Sequence, residues 1–144
     1  MRIICSLLAV AVVGTVALIA WGQDQDQPKP ISVESKLLEL LKERRQTLHQ
    51  AVQYQKAQFE QGSASLEDVL EAEVAIAQAD LEIAPTLATR QHVHQRLIKQ
   101  LRQLEELAQA RFAQGTVTQL AVFDTKAARL QAEIDMLQDR TRQR

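Results

Sequence analysis

Two stretches of this chain repeat one another at an offset of 53 residues. The match starts at Phe59 and Phe112 and includes Gly62 and Gly115. Because the chain has only three Phe and four Gly, their agreement in register is more informative than matches of its abundant Ala, Gln and Leu. A duplicated unit is usually one supersecondary element that cannot bury its apolar face alone. The repeat therefore predicts two such elements that stack on each other.

The N-terminal 22 residues have the composition of an export segment. Arg2 supplies a positive start, and residues 3–21 carry no charge. We expect a signal peptide that is cleaved after Gly22. The alternative is an uncleaved anchor that tethers the domain at the inner membrane, because about 20 apolar residues span a bilayer. The only cysteine, Cys5, lies in this segment, so a processed chain has no disulfide and no thiol chemistry.

Helix-breaking residues divide the rest of the chain. Residues 23–31 are polar with two prolines and predict a flexible linker. Beyond them, Gly62, Pro85 and Gly115 separate segments of strong helix formers. The predicted helices are 32–60, 64–84, 86–113 and 117–142. We expect an all-α domain over residues 32–144, duplicated as 32–84 and 86–142. Its two tandem long helical hairpins form an antiparallel four-helix coiled-coil-like bundle or open to share helices with partners.

Apolar residues recur along these segments at coiled-coil spacing. The predicted seam of the fourth segment steps alternately by three and four residues through Leu120, Phe123, Ala127, Leu130, Ile134 and Leu137. The seams of the second and third segments are similar and rich in Ala. The first segment has a broader apolar face, which predicts more than one neighbouring helix.

The residues around both glycines predict the same turn. Gly62 and Gly115 fit the position just past a helix C-terminus, where the left-handed conformation costs glycine nothing. Ser65 and Thr118 fit the N-caps of the following helices. Asp68 completes a capping box with Ser65, whereas the second copy has Ala at the equivalent position, so its cap is expected to be weaker.

Several functional classes have no support in the sequence. The formal net charge is −1 and aromatic residues make up 3%, which is unlike a nucleic-acid-binding surface. His92 and His94 point to different sides of a helix and cannot share a metal. The sequence contains no catalytic triad, phosphate-binding loop or metalloprotease motif, so we expect no enzyme activity, no cofactor and no metal.

The run from Phe59 to Ala72, FEQGSASLEDVLEA, resembles the periplasmic helix-turn-helix of the TolC-like outer membrane efflux proteins. In that family an aromatic residue, a Gly, a Ser or Thr and then acids mark a tip, and each subunit carries two such hairpins. The resemblance implies that both turns form tips that meet an adaptor protein. It also places Asp68 and Glu71 among acids that line the closed end of a tunnel, with Asp124 equivalent to Glu71. Residues 85–90 are too few for the family's membrane strands, so this chain cannot build its β-barrel.

These observations together predict an exported, non-enzymatic protein of the periplasm or cell envelope that acts through its glycine-containing tips. The expected partner is another envelope protein or a second copy of the chain, and the resemblance implies an efflux adaptor. The alternative is a periplasmic chaperone-like or structural spacer coiled-coil protein. The predicted partner-binding residues are Gly62, Ser63, Ser65, Leu66, Asp68, Glu71, Gly115, Thr116, Thr118 and Asp124.

Overall fold

The computed structural model describes residues 32–142, which form four α-helices and no strand. The helices are α1 (Val33–Glu60), α2 (Leu66–Ile83), α3 (Leu87–Ala113) and α4 (Gln119–Thr141). The prediction of an all-α fold is confirmed, and each helix begins and ends within two residues of its predicted bounds. The predicted export segment and linker lie outside the described residues.

The two predicted turns have the same backbone conformation. Gly62 and Gly115 both adopt φ of +73°, in the left-handed region that favours glycine. Each glycine N–H donates to the carbonyl of a phenylalanine three residues earlier, Phe59 at 2.9 Å and Phe112 at 2.8 Å. In each turn the next N–H bonds a carbonyl five residues back, which completes a Schellman motif that satisfies the last carbonyls of the helix. The predicted glycine positions are therefore confirmed.

The predicted N-caps of α2 and α4 are also confirmed. Ser65 Oγ accepts a hydrogen bond from the Asp68 amide, and Asp68 Oδ2 accepts one from the Ser65 amide, so the capping box is complete. Thr118 Oγ1 accepts only the Ala121 amide, at 3.4 Å, and Ala121 cannot return a bond. Thr86 caps α3 in the same way, and this cap was not predicted from the sequence.

Successive helices run antiparallel and lie side by side in chain order. Ion pairs join the first half of α1 to the end of α2 through Arg44 and Glu82, and the start of α3 to the end of α4 through Arg90 and Asp139. Within residues 32–142 α1 packs on α2, α2 on α3 and α3 on α4, and α1 makes no contact with α4. The helices therefore form an open row, and the contact that would close a four-helix bundle is absent from this part of the chain.

The apolar core is centred on α3, which lies between α2 and α4. Its buried residues follow the predicted seam through Val93, Leu97, Leu101, Leu104 and Ala108. Leu70 and Ala77 of α2 and Ala132 of α4 pack against them. Burial of each Leu or Val side chain contributes about 1.5–3 kcal/mol, so these contacts hold the three helices together.

Two expectations about the outer helices were wrong. The predicted seam of α4 is exposed along its whole length, and α4 contacts α3 through its other side, where Ala132 is buried. The broad face of α1 does not meet several neighbours, because α1 packs on α2 alone within the described residues. Leu37 and Leu40 of that face are accordingly about half exposed, at 55% and 50%. Both departures have one cause, since the row leaves the outer faces of its end helices uncovered.

None of the helices in residues 32–142 combines the length and the apolar character needed to cross a membrane.

Candidate functional site

Both glycine turns lie at the same end of the helical row. Because neighbouring helices are antiparallel, the α1–α2 turn and the α3–α4 turn project in the same direction. Arg111, in the last turn of α3, forms an ion pair with Glu67 in the first turn of α2. This pair joins the two turns directly. We call residues 61–68 and 114–121 the first and second tips.

The two tips share the hydrogen bonds of their glycine turns and differ at the cap, where only the first has a complete capping box. Ser63 and Thr116 each place a hydroxyl on a carbonyl five residues earlier, at 3.0 and 2.9 Å. The N-cap residues Ser65 and Thr118 have nearly equal backbone angles, with φ of −86° and −81°. The repeat seen in the sequence is therefore a repeat of three-dimensional structure at the tips.

All of the predicted partner-binding residues are exposed in this structure. They are Gly62, Ser63, Ser65, Leu66, Asp68, Glu71, Gly115, Thr116, Thr118 and Asp124. Among them Leu66 is the only large apolar side chain, and it is 47% exposed. A Cβ added to either glycine would meet no atom within 4 Å, so the space around both turns is open. The tips are therefore accessible, although exposure alone does not identify a binding surface.

Asp68 has a structural role in the first tip. Its Oδ2 accepts hydrogen bonds from the Ser65 amide and from the Ser65 hydroxyl, both at 2.7 Å. These hydrogen bonds from Ser65 lower the pKa of the Asp68 carboxyl below its ordinary value. The carboxylate therefore stays ionised at neutral pH and stabilises the first turn of α2. If Asp68 also contacts a partner, it does so while it is bonded to Ser65.

A shallow groove runs between α2 and α4 over the surface of α3. Leu97 and Leu101 of α3 lie in it, with Gln78 of α2 and Gln131 of α4 on its two sides. Gln78 and Gln131 are equivalent in the repeat. Glu71 and Asp124 precede them by seven residues, or two helical turns, and therefore lie on the same faces of α2 and α4, nearer the tips. The groove is thus flanked by an equivalent acid on each side at its tip end.

Two charged clusters behind the tips were missed in the sequence. Asp80 of α2 pairs with Arg45 of α1 and with Arg96 of α3, so one carboxylate joins three helices. Burial raises the pKa of Asp80, but the hydrogen bonds and charges of the two arginines outweigh it and lower the pKa overall. Glu105 of α3 pairs with Arg129 of α4 at 2.6 Å. Apolar periodicity carries no signal for these pairs, because it identifies apolar seams and not charged partners.

His94 is the most buried polar residue among residues 32–142, and its polar partners are Asp139 and, through it, Arg90. Its ring is 2% exposed, and Nε2 lies 2.9 Å from Asp139 Oδ2, which Arg90 also contacts. His92 is exposed, so the two histidines lie on different sides of α3, as predicted. Across residues 32–142 no group of three or more His, Cys, Asp and Glu side chains could hold a metal ion. The cluster instead fastens the end of α4 to the start of α3.

Comparisons of the chain with protein-family models, with curated proteins and with solved structures found no match.

Proposed function

We propose that this chain is an exported, non-enzymatic helical module of the cell envelope that docks a protein partner through its two tips. The observation that carries the proposal is the pairing of two equivalent exposed turns at one end of the helical row. Two copies of one turn, fixed relative to each other by Glu67 and Arg111, offer a partner a repeated surface. A partner that is itself helical or repeated would fit such a surface best.

In this proposal α1–α2 and α3–α4 are two tandem hairpins that act as one coiled-coil-like unit. The row is open at both edges, so it can share helices with a partner instead of closing on itself. The resemblance of the first tip to TolC-like efflux proteins supports an envelope partner such as an efflux adaptor. The acids Glu71 and Asp124 flank the groove behind the tips, which favours a partner that presents basic or amide side chains there.

Site-specific photocrosslinking in cells tests the proposal. A photoreactive amino acid at Leu66, in the first tip, should capture a discrete envelope protein. The matched control is the same group at Ala88, which is exposed near the joint between α2 and α3 at the opposite end of the row. Capture from Leu66 and not from Ala88 is the expected result.

Equal capture from both positions, or none from Leu66, would contradict docking by the tips. The alternative of a chaperone-like or spacer protein predicts a different outcome. A chaperone would suppress the aggregation of unfolded clients in vitro and would crosslink to many proteins from both ends. A spacer would show neither activity.

A further inference from the structure

The apolar seam of α4 has no partner within residues 32–142. Every residue of this seam is exposed: Leu120, Phe123, Ala127, Leu130, Ile134 and Leu137. α4 contacts α3 through its opposite side, where Arg129 and Met136 are half-buried and Ala132 is buried. α4 therefore has two usable faces, one on α3 and one of coiled-coil type that faces solvent.

The repeat shows that the equivalent face of α2 is covered. The offset of 53 residues relates Leu70, Val74, Ala77 and Leu81 of α2 to Phe123, Ala127, Leu130 and Ile134 of α4. In α2 these positions pack against α3 in the core. The seam of α4 is thus a second copy of an established helix-packing face that lacks its covering helix.

We propose that α4 pairs in antiparallel orientation with α4 of a second copy of this chain, about a twofold axis. In this pairing the seam residues of one copy face those of the other in three kinds of layer, each made of one facing pair: Leu120 with Leu137, Phe123 with Ile134, and Ala127 with Leu130. The twofold axis makes each layer occur twice. The smallest seam residue therefore lies opposite a large one. A parallel pairing in register would instead place Ala127 against Ala127 and leave that layer underfilled.

The charges beside the seam fit the antiparallel register. Each heptad of α4 has two seam positions, and Lys126 and Glu133 each directly precede the first of them. In an antiparallel coiled coil, residues at this position of the two helices face one another across the seam. Here Lys126 faces Glu133 of the second copy, and the symmetry makes this contact twice. On the other side of the seam Asp124 faces the amide of Gln131. Lys126 has no ion pair within residues 32–142, and the described hydrogen bonds of Glu133 use only Oε1, which leaves Oε2 for Lys126.

Other registers of the same pairing oppose like charges. A shift of one heptad in one direction places Lys126 against Lys126 of the second copy. A shift in the other direction places Glu133 against Glu133 and Lys126 against Arg140. Since like charges in facing positions are unfavourable, they select the register that matches the seam layers.

The charges also decide between α4 and α1 as the covering helix. Suppose that α1 of a second copy covered α4 in the way that α3 covers α2. By the repeat, Glu133 and Glu43 would then take the places of Asp80 and Arg96, so two acids would face each other where α2 and α3 have an ion pair. Arg44 would occupy the position of the buried Leu97. That arrangement opposes like charges and places a charged residue in the seam, so the observations favour α4.

Disulfide trapping tests the orientation. In full-length chains that carry Cys5→Ser, a Leu120→Cys chain mixed with a Leu137→Cys chain should form a disulfide-linked dimer. Leu120→Cys alone should not, because antiparallel pairing separates the two copies of residue 120 by about 25 Å at 1.5 Å per residue. A dimer from Leu120→Cys alone would overturn the proposal in favour of parallel pairing.

Sedimentation equilibrium of the purified full chain tests the surface. Ile134→Lys and Lys126→Glu should each raise the dimer dissociation constant, Ile134→Lys by about tenfold or more, which corresponds to about 1.4 kcal/mol. Leu40→Lys, on the exposed face of α1, is the matched control and should leave the constant unchanged. Circular dichroism checks that each variant stays folded.

A wild-type chain that remains monomeric throughout the micromolar range would overturn the proposal. So would a dimer that Leu40→Lys dissociates, because it would assign the contact to α1. This pairing does not use the first tip, so loss of partner crosslinking from Leu66 would leave it standing.

Discussion

Ala79 and Ala132 occupy equivalent positions in the two repeats, and both are buried, at 1% and 5% exposure. Each lies in the second helix of its repeat. Small residues at such positions let helix axes approach closely. The duplication therefore preserves helix packing as well as the turn geometry of the tips.

Enlarging either alanine should destabilise the fold. We expect Ala79→Leu and Ala132→Leu each to lower the free energy of unfolding by about 1–3 kcal/mol, because a larger side chain must displace packed neighbours. Chemical denaturation followed by circular dichroism measures the change. Ala127→Leu, in the exposed seam of α4, is the matched control and should change the stability of the monomer little. A similar loss for Ala127→Leu would contradict the assignment of faces in α4.

The two tip glycines should respond alike to substitution. Gly62→Ala and Gly115→Ala should each cost about 1–2 kcal/mol, because the left-handed conformation is strained for a residue with a Cβ. No neighbouring atom would clash with the added methyl group at either site, so the backbone alone sets the cost. Asn at the same positions should cost less. Costs that differ between the two glycines by more than the experimental error would argue against equivalent tips.

Removal of the N-cap hydroxyl should lower the free energy of unfolding more in the first tip than in the second. Ser65→Ala should cost about 1 kcal/mol, within the usual range for N-caps, and Thr118→Ala should cost less. The difference follows from the complete capping box at Ser65 and the missing partner at Ala121. Thermal denaturation of both variants provides the comparison. An equal or larger loss for Thr118→Ala would contradict this account of the caps.

Acid should weaken the contact between α3 and α4. The hydrogen bond from His94 lowers the pKa of Asp139, and the hydrogen bond and charge of Arg90 lower it further. Burial raises the pKa but is outweighed. A carboxyl whose pKa is lower in the folded state stabilises the fold above its unfolded pKa of about 3.9, and this stability is lost as the pH falls through the folded pKa.

Asp139→Asn should therefore reduce stability at pH 7, and the difference from wild type should shrink in strong acid. Denaturant titrations at several pH values measure both. Asp135→Asn is the matched control, since Asp135 has no ion pair within residues 32–142 and bonds only Gln131. A difference for Asp139→Asn that is constant from pH 7 to strong acid would contradict a role for its charge.

Local signals in the sequence predicted the helices and tips well. Gly62, Pro85 and Gly115 are strong breakers in a chain of helix formers, and a glycine followed by a cap residue specifies the turn with little help from distant parts of the chain. The seam of α3 was also predicted correctly, because α3 has neighbours on two sides and its apolar stripe must be buried.

The order of the helices and the packing face of α4 could not be predicted in this way. Apolar periodicity selects the most apolar stripe, and in α4 that stripe faces solvent. The face that packs on α3 combines Ala132 with charged residues such as Arg129 and Asp139, whose partners Glu105 and His94 lie far away in sequence. Only the three-dimensional structure identifies such pairs.

Paired photocrosslinking from equivalent positions tests the central claim most directly. Leu66 and Gln119 are related by the repeat, are the first residues of α2 and α4, and are both exposed. If the tips form one docking surface, a photoreactive group at either position captures the same envelope protein, and Ala88 at the opposite end does not. Capture of different proteins from the two tips, or of the same protein from Ala88, would contradict the account.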